Sequence, residues 1–547
     1  MARPVQILLG GNILTLDEAS SRATAIAWRD GEIIAVGSDR DVLERTSADP
    51  GEAVQLEGRT VIPGLTDAHA HLDRYSLGAE LPGFEHCETP ADVLDVIAAA
   101  VADREPGEWI VTRPIGAPPR YEQSRLGEGS LVPTRAELDR VAPNNPVFIR
   151  SIWGYWNMSL NPVSVANTAA LRAAGVDLRD TPSPSAAVEM LRDGSGELTG
   201  VFVESVRHPI VEHTLLRAAP GFTAAQRARS IAEGAAAYAS YGTTAYFEGH
   251  GVADDLLDAY ALSGAGGLRA TLIWSPNWTE DDPAAVGGLV EQRRRLLRAK
   301  DAKLDLQGIY VEFDDGTGDA TLRARGRRQS GWAGFTTGAG LPEQRMRELL
   351  QHAAEAGIRV CGIDIRLLPL IAEVDAVTPV APLRWVLAHH PVLSSEQIQL
   401  IARLGMVVTT VAPHFLLHGD GSFGGPDEGD FLPLPALIEA GVPFAFGSDN
   451  VPITMWESIY AVTERLTAGG VPVSPENALT REQALVAATR GGAWLTREET
   501  TRGALARGQA ADLAVLDRDP LTCSAADLRA TQAVATVVAG TLVHGTL

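Results

Sequence analysis

Short apolar runs separated by turn residues open and close this chain, and both ends therefore predict β-structure. Near the start, strands are predicted at 6–9, 12–16, 24–28 and 32–36. The last of these follows Asp30 and Gly31, a pair typical of hairpin turns. The far end repeats this pattern at 511–516, 533–538 and 540–544. We expect the two ends to build one small β-sandwich; two independent terminal modules are the alternative.

Between these ends, apolar runs alternate with helical stretches, which is typical of a parallel sheet covered by helices. Eight strands are predicted, at 61–71, 243–250, 268–274, 307–315, 358–364, 383–390, 406–413 and 442–449. Eight such units predict an α/β fold, a (β/α)8 TIM-like barrel. The stretch from about 75 to 240 does not fit the repeat and is predicted to be a large insertion after the first strand. The expected divisions are 1–60 and 501–547 for the sandwich and 61–500 for the barrel with its insertion.

Composition narrows the class of protein. A length of 547 residues suits a large barrel with an accessory domain, and 45% hydrophobic with 21% charged residues is typical of soluble globular proteins. No apolar run reaches the roughly 18 residues that span a membrane, and the first residues lack the features of a secretory signal. Only three cysteines occur, so we expect a reducing, cytoplasmic location. The net charge of −23 argues against a nucleic-acid partner.

The pair His69-Ala-His71 ends the first predicted barrel strand. In an extended strand, residues i and i+2 point to the same side, so two imidazoles are offered to one point in space. This is the geometry that a divalent metal requires of neighbouring ligands. A pair of surface histidines is the alternative, but the apolar strand and the preceding Pro-Gly-Leu-Thr-Asp favour a metal site.

Polar residues at the carboxyl ends of barrel strands form the site in this fold, and two further strands supply them. Asp449 follows the apolar eighth strand, where it is either a helix cap or a metal-binding catalytic carboxylate. In the catalytic role it takes a proton from water and later returns it to the leaving group. The sixth strand ends in His389 and His390, and only one of two adjacent strand residues can point inward.

These passages together resemble the amidohydrolase superfamily. Within it, they resemble the branch that contains YtcJ-like members, D-aminoacylases and N-substituted formamide deformylase. The first, sixth and eighth strands carry the resemblance, with further similar passages at 193–204, 241–244 and 503–517. It covers about residues 5–545. It implies that His389 is the sixth-strand histidine, with His390 as the fallback, and that relatives commonly form homodimers.

The fifth strand departs from the family pattern, which usually places a histidine near its end. Here it reads Gly-Ile-Arg-Val-Cys361-Gly-Ile-Asp364. Cys361 and Asp364 are candidate replacements, because thiolates and carboxylates both bind zinc; a small core residue and a helix cap are the alternatives. His250, at the end of the second strand, is a third candidate, with a rim histidine that contacts substrate as its alternative.

The fourth strand also departs, because many relatives bridge two metals there with a carboxylated lysine or a glutamate. The only lysines, Lys300 and Lys303, precede this strand in a charged stretch. Glu312 is a candidate bridge, in competition with Asp314 and Asp315. A single catalytic metal is therefore the simpler expectation.

We thus expect a hydrolase of a carbon–nitrogen bond in a small amide-like substrate, with one divalent ion, zinc, bound by His69, His71, Asp449 and His389. The predicted insertion contains several aromatic residues, and these fit N-substituted formamides or N-acyl compounds with a bulky apolar group as substrates. Cyclic amides, carbamates, ureas and amino-heterocycles are alternative substrates, and a barrel that only binds a ligand is the alternative of another class. Candidate substrate contacts are His414, Trp153 and Trp156.

Overall fold

A computed structural model of the chain describes residues 4–47, 51–84, 86–114, 132–151, 162–206, 209–278, 280–314, 316, 321–322, 336, 340–417, 431–450 and 453–547. Seven short strands come first: β1 Gln6–Leu9, β2 Asn12–Leu14, β3 Arg22–Ala23, β4 Ala25–Arg29, β5 Glu32–Gly37, β6 Glu52–Gln55 and β7 Thr60–Pro63. One sheet has the order β5-β4-β1-β6, while β7, β2 and β3 belong to a second sheet. Helix α1 Asp39–Thr46 begins at a capping box of Ser38 and Asp41.

The first barrel strand, β8 Leu65–Asp67, begins only one residue after β7 ends. Gly64 makes this direct passage possible, because a Cβ added there would lie 2.1 Å from Oγ1 of Thr244. The sequence predicted one strand over 61–71. That prediction is wrong in detail, because the sandwich and the barrel each take a part of it and the strand ends before the two histidines.

A separate sheet with its own apolar core follows the first barrel strand. Its order is β12-β13-β11-β10-β9, and its strands are β9 Ile110–Val111, β10 Val147–Ile149, β11 Val163–Ala166, β12 Val188–Arg192 and β13 Leu198–Glu204. The accompanying helices are α2 Pro90–Ala102, α3 Arg135–Val141, α4 Thr168–Ala173 and α5 Ile210–His213. Buried apolar residues from these elements form two clusters of their own, as expected of an insertion.

Helix α6 Ala224–Ser240 lies within the predicted insertion, yet it belongs to the barrel. Its residues Ile231, Ala235 and Tyr238 are fully buried in the same apolar cluster as Leu65 and Leu72. The numerical limits of the insertion and of the domains stay predictions.

Seven further parallel strands complete the barrel sheet in the order β8-β14-β15-β16-β17-β18-β19-β20. They are β14 Thr243–Val252, β15 Arg269–Trp274, β16 Leu304–Tyr310, β17 Arg359–Gly362, β18 Val386–Leu387, β19 Val407–Thr410 and β20 Phe444–Phe446. The first and last strands approach through single hydrogen bonds, such as that from the Ala68 amide to the Phe446 carbonyl at 2.8 Å. The predicted TIM-like barrel is confirmed.

Helices alternate with these strands along the chain, as the pattern predicted. They are α7 Asp254–Ser263, α8 Val286–Arg298, α9 Glu343–Glu355, α10 Leu367–Asp375, α11 Ser395–Arg403, α12 Ala412–Leu417, α13 Leu434–Glu439, α14 Met455–Glu464, α15 Arg481–Val486 and α16 Gly492–Leu495. Among the helices that the structure describes, none is both long and apolar enough to cross a membrane.

The C-terminal strands return to the beginning of the chain. They are β21 Leu513–Leu516, β22 Ala533–Val538 and β23 Thr541–Gly545, with the short helix α17 Ala525–Arg529 between the first two. Strand β21 pairs antiparallel with β7, so the second sheet has the order β23-β22-β21-β7-β2-β3. Trp28 and Ile33 from one end share a buried cluster with Leu513 and Val537 from the other. This confirms the prediction that both ends of the chain build one sandwich. The alternative, two independent terminal modules, is wrong.

Candidate metal centre

His69 and His71 follow directly after β8, in a segment held between the neighbouring strands. The Ala68 amide donates to Phe446 on one side at 2.8 Å, and the Ala70 amide donates to Phe247 on the other at 3.0 Å. The two imidazole ring centroids lie 5.1 Å apart. Both side chains are buried. The juxtaposition predicted from the sequence is therefore present, although single hydrogen bonds to both neighbouring strands maintain it beyond the end of the strand.

Asp449 reaches this pair from the opposite edge of the sheet, just after β20. Its Oδ1 lies 3.1 Å from Nε2 of His71 and 3.8 Å from Nε2 of His69. Its amide donates to the carbonyl of His69 at 2.8 Å, which closes the barrel at this point. Asp449 has a φ of +55°, a left-handed conformation that is uncommon outside glycine.

His389 completes the group from the sixth strand. Its Nε2 lies 3.3 Å from Oδ2 of Asp449, and its ring centroid lies 4.9 Å from that of His69. Its φ is +62°, and its side chain is 21% exposed. His390 faces a loop instead, with Nδ1 3.0 Å from the carbonyl of Val392. Two strained residues in one cluster are typical of functional sites, where surrounding contacts hold them in place.

These side chains fit a divalent ion. Ligand atoms about 2.1 Å from a tetrahedral zinc lie about 3.4 Å from one another, and the distances from Asp449 to the three imidazoles are close to this value. Neither ring nitrogen of His69 has a hydrogen-bond partner in the described part of the chain, although the ring is fully buried. Within the same residues, two sets have ligand atoms within 4.8 Å of one another, His69 with His71 and His250, and His69 with His389 and Asp449.

The charges at the site agree with this donor set. Burial, followed by the neighbouring His389, lowers the pKa of His69 well below its usual range. For Asp449 burial acts in the opposite direction, but hydrogen bonds from His389 and His71 hold its pKa well below the usual value. At neutral pH the site thus offers a neutral imidazole and an ionised carboxylate, the forms that bind metals.

Glu248 is a functional candidate that the sequence reasoning missed. Its Oε2 lies 3.2 Å from Nδ1 of His71, the ring nitrogen opposite Asp449. Its Oε1 accepts from the Leu72 amide at 2.9 Å and from the hydroxyl of Tyr260. A carboxylate on the far nitrogen fixes the orientation of a metal-binding histidine. The available signal was a glutamate in an otherwise apolar strand, two residues before His250.

Asp67 was also missed, and it joins the first and eighth strands. Its Oδ1 accepts from the amides of His69 and Ser448, each at 3.0 Å. Its Oδ2 accepts from the hydroxyl of Tyr238 at 2.7 Å. Burial raises the pKa of Asp67 to about 6. This buried network holds the His-x-His segment against the loop that carries Asp449.

The replacement ligands proposed for the fourth and fifth strands lie in neither set of metal-binding side chains. Cys361 is fully buried, its Sγ donates to the carbonyl of Gly249 at 3.0 Å, and burial raises its pKa to about 12. Asp364 accepts from Nε of Arg366 at 2.9 Å. Glu312 is partly buried just beyond the end of β16.

The remaining candidates are less central. The ring of His414 lies 5.8 Å from that of His389 and also contacts the ring of Phe415. Trp153 and Trp156 lie outside the described residues. Lys303 donates to the carbonyl of Gly267 from a position just before β16, so it lies at the other end of that strand from the site.

Comparison with known proteins defines the class to which this site belongs. The model of the Amidohydrolase family matches residues 52–544, so the chain belongs to that family. This confirms the predicted superfamily and the predicted enzyme class, a hydrolase acting on carbon–nitrogen bonds.

Three relatives illustrate the similarity. The chain is 28% identical to N-substituted formamide deformylase of Arthrobacter pascens, over 98% of this chain and 97% of that protein. It is 25% identical to YtcJ of Bacillus subtilis, over 98% of each chain. Its fold matches the crystal structure of an uncharacterised metal-dependent hydrolase from Pyrococcus furiosus with a TM-score of 0.65. That match has 20% identity and covers 95% of this chain and 100% of the other.

Proposed function

We propose that this protein hydrolyses an amide-type carbon–nitrogen bond with the help of one zinc ion per chain, bound by His69, His71 and Asp449. One observation carries the proposal: the Asp449 carboxylate lies between three imidazoles from two other strands, at distances of 3.1–3.8 Å. His389, which is partly exposed, is a fourth ligand or a direct neighbour of the reacting carbonyl. Such an ion would lower the pKa of a water molecule and polarise the substrate carbonyl.

The side chains of the site have complementary roles in this reaction. Asp449 is ionised at neutral pH because its pKa is held low by His389 and His71, despite its burial. It therefore accepts a proton from the attacking water and returns it to the departing nitrogen. An N–H of His389 donates to the substrate oxygen as negative charge develops there. Glu248 keeps the ring of His71 in place throughout.

The substrate that we propose is an N-substituted formamide or an N-acyl compound with a bulky apolar group. Support comes from the similarity to N-substituted formamide deformylase, which extends over 98% of this chain. The aromatic residues Trp153 and Trp156 of the insertion agree with an apolar substituent. Since loops at the barrel rim decide the substrate, this part of the proposal is tested separately from the chemistry.

Metal analysis tests the chemistry. Protein purified without added metal is expected to contain close to one zinc per chain, and His69→Ala and Asp449→Asn are expected to lose hydrolytic activity. An exposed variant such as Glu189→Gln, on β12, is the control and should retain both. Wild-type protein with essentially no metal, and with no hydrolytic activity that His69→Ala reduces, would overturn the metal-dependent hydrolase and leave a barrel that only binds a ligand.

A substrate panel tests the specificity. N-benzylformamide, a linear N-acyl amine, a lactam, a carbamate, a urea and an amino-heterocycle are incubated with the protein, and amine, formate and ammonia are measured. Formate with an equal amount of amine supports the deformylase. Turnover confined to the lactam or to the carbamate and urea, or ammonia released from the heterocycle, would assign a different substrate to the same centre.

A further inference from the structure

The fifth strand of the barrel, β17, carries no histidine. Cys361 stands near the end of β17, but it is fully buried and its Sγ points to the carbonyl of Gly249 on β14. The fifth and second strands therefore touch across the barrel, one residue away from His250. The small side chain of the fifth strand thus lies against the backbone of the second strand.

His250 follows Gly249 on β14, next to this contact. Its ring centroid lies 5.8 Å from those of both His69 and His71. Each of the three rings has a nitrogen within 4.8 Å of the others, and all three side chains are buried. The ring of Tyr310 packs on His250 at 4.9 Å. Three buried imidazoles from two neighbouring strands thus converge on one point.

The backbone on both sides of His250 allows this approach. A Cβ at Gly249 would lie 2.9 Å from the ring of Phe247 and 3.3 Å from Nδ1 of His69. Gly251 has a φ of +81°, and a Cβ there would lie 2.6 Å from Cβ of Tyr310. Larger residues at either position would displace the strand end, so the two glycines place His250 beside the metal-binding pair.

We propose that His250 is the third imidazole ligand of the metal, supplied by the second strand in place of a fifth-strand histidine. The inference rests on the proposed function and assigns a ligand to the same ion. His69, His71, His250 and the Asp449 carboxylate then supply four donors, the number usual for zinc. His389 is left beside Asp449, where it can face the substrate.

A crystal structure of the wild-type protein with zinc tests this assignment directly. Anomalous scattering at the zinc edge is expected to place the ion about 2.1 Å from a ring nitrogen of His250. An ion more than about 3 Å from that ring, the separation expected of a contact without coordination, would overturn the inference while leaving the hydrolase intact. A wild-type crystal and solution sample without any metal would instead count against the proposed function itself.

Zinc affinity provides the second test. His250→Ala is expected to weaken zinc binding by at least roughly 100-fold, more than the loss of an orienting partner costs, and to change the visible absorption of the cobalt-substituted protein. His414→Ala is the matched control, since its ring adjoins His389 but belongs to neither set of ligands. It should leave the zinc Kd and the cobalt spectrum unchanged.

Circular dichroism shows whether His250→Ala is folded. If it is not, the crystal structure of the wild-type protein remains as the test. A folded His250→Ala with the wild-type zinc Kd and cobalt spectrum would overturn the inference. If that variant differs from the wild type only in KM, His250 is a substrate contact at the rim instead of a metal ligand.

Discussion

Glu248 and His71 contact through a carboxylate oxygen and Nδ1 at 3.2 Å, and this contact leaves Nε2 of the same ring facing Asp449 at 3.1 Å. The ring is therefore held from both sides. For His71 burial alone would lower the pKa, but the hydrogen bonds with Asp449 and Glu248 raise it. The neighbouring carboxylates thus make this imidazole more basic than its burial alone would allow.

Neutralising Glu248 tests this contact. Glu248→Gln is expected to weaken zinc binding by about 10–100-fold, because the ring of His71 loses its anionic partner. A chelator-competition titration measures the zinc Kd. Tyr260→Phe, which removes only one donor to Glu248, should have a smaller effect. A zinc Kd in Glu248→Gln equal to that of the wild type would show that the contact does not tune the metal.

The buried network around Asp67 is expected to stabilise the junction between the first and last strands. Tyr238→Phe removes the hydroxyl that lies 2.7 Å from Asp67 and 3.0 Å from Asn450, and should lower the free energy of unfolding by about 1–3 kcal/mol. Tyr246→Phe is the matched control, since both tyrosines are fully buried but the Tyr246 hydroxyl lies 3.5 Å from its acceptor. Denaturant unfolding compares them, and equal losses would contradict the role of the network.

Gly447 packs so closely against His69 that no side chain fits at this position. A Cβ added there would lie 2.3 Å from Cβ of His69, so Gly447→Ala should push the imidazole away from Asp449. We expect a loss of about 1–3 kcal/mol in stability together with weaker zinc binding. In Gly288→Ala on α8 the added Cβ meets no described atom within 4 Å, and both properties should be retained. Isothermal titration with zinc and thermal unfolding measure the two effects.

Glu204, at the end of β13, is expected to make the free energy of unfolding depend on pH. Burial raises its pKa to about 8 from an ordinary 4.5. Since the folded pKa is the higher one, the folded protein retains a proton that the unfolded chain releases between these two values. The stabilisation is therefore complete below about pH 4.5 and is lost as the pH rises through about 8, with an upper limit of about 5 kcal/mol.

Comparison of two variants isolates this contribution. Glu204→Gln cannot ionise at this position, so its unfolding free energy should change less between about pH 6 and pH 9 than that of the wild type. Glu189→Gln, on the neighbouring strand and exposed, should behave as the wild type does. A wild-type protein that becomes more stable over this pH interval relative to Glu204→Gln would contradict the sign of the prediction.

Much of the architecture could be predicted from periodicity alone. The alternation of apolar strands with helices, such as the helix Glu343–Glu355 between two barrel strands, follows from local burial and is independent of distant contacts. His69 and His71 could be paired because two residues separated by one are close whatever the rest of the chain does. Asp449 and the pair His389 and His390 were found because strand ends in a parallel barrel meet on one face. The choice of His389 from that pair came from the resemblance to the family.

The sequence by itself therefore determined the strand–helix repeat, the His-x-His pair and the side chains that parallel strand ends bring together. Tertiary structure alone decided which residues surround the two histidines: Glu248 behind His71, Asp67 between the first and last strands, and His250 with its ring 5.8 Å from both of theirs. These contacts join positions far apart in sequence, for example Asp67 and Ser448, which are 381 residues apart. Their distances depend on how the barrel closes and on backbone conformations such as the positive φ of His389 and Asp449, which no local pattern of apolar and polar residues encodes.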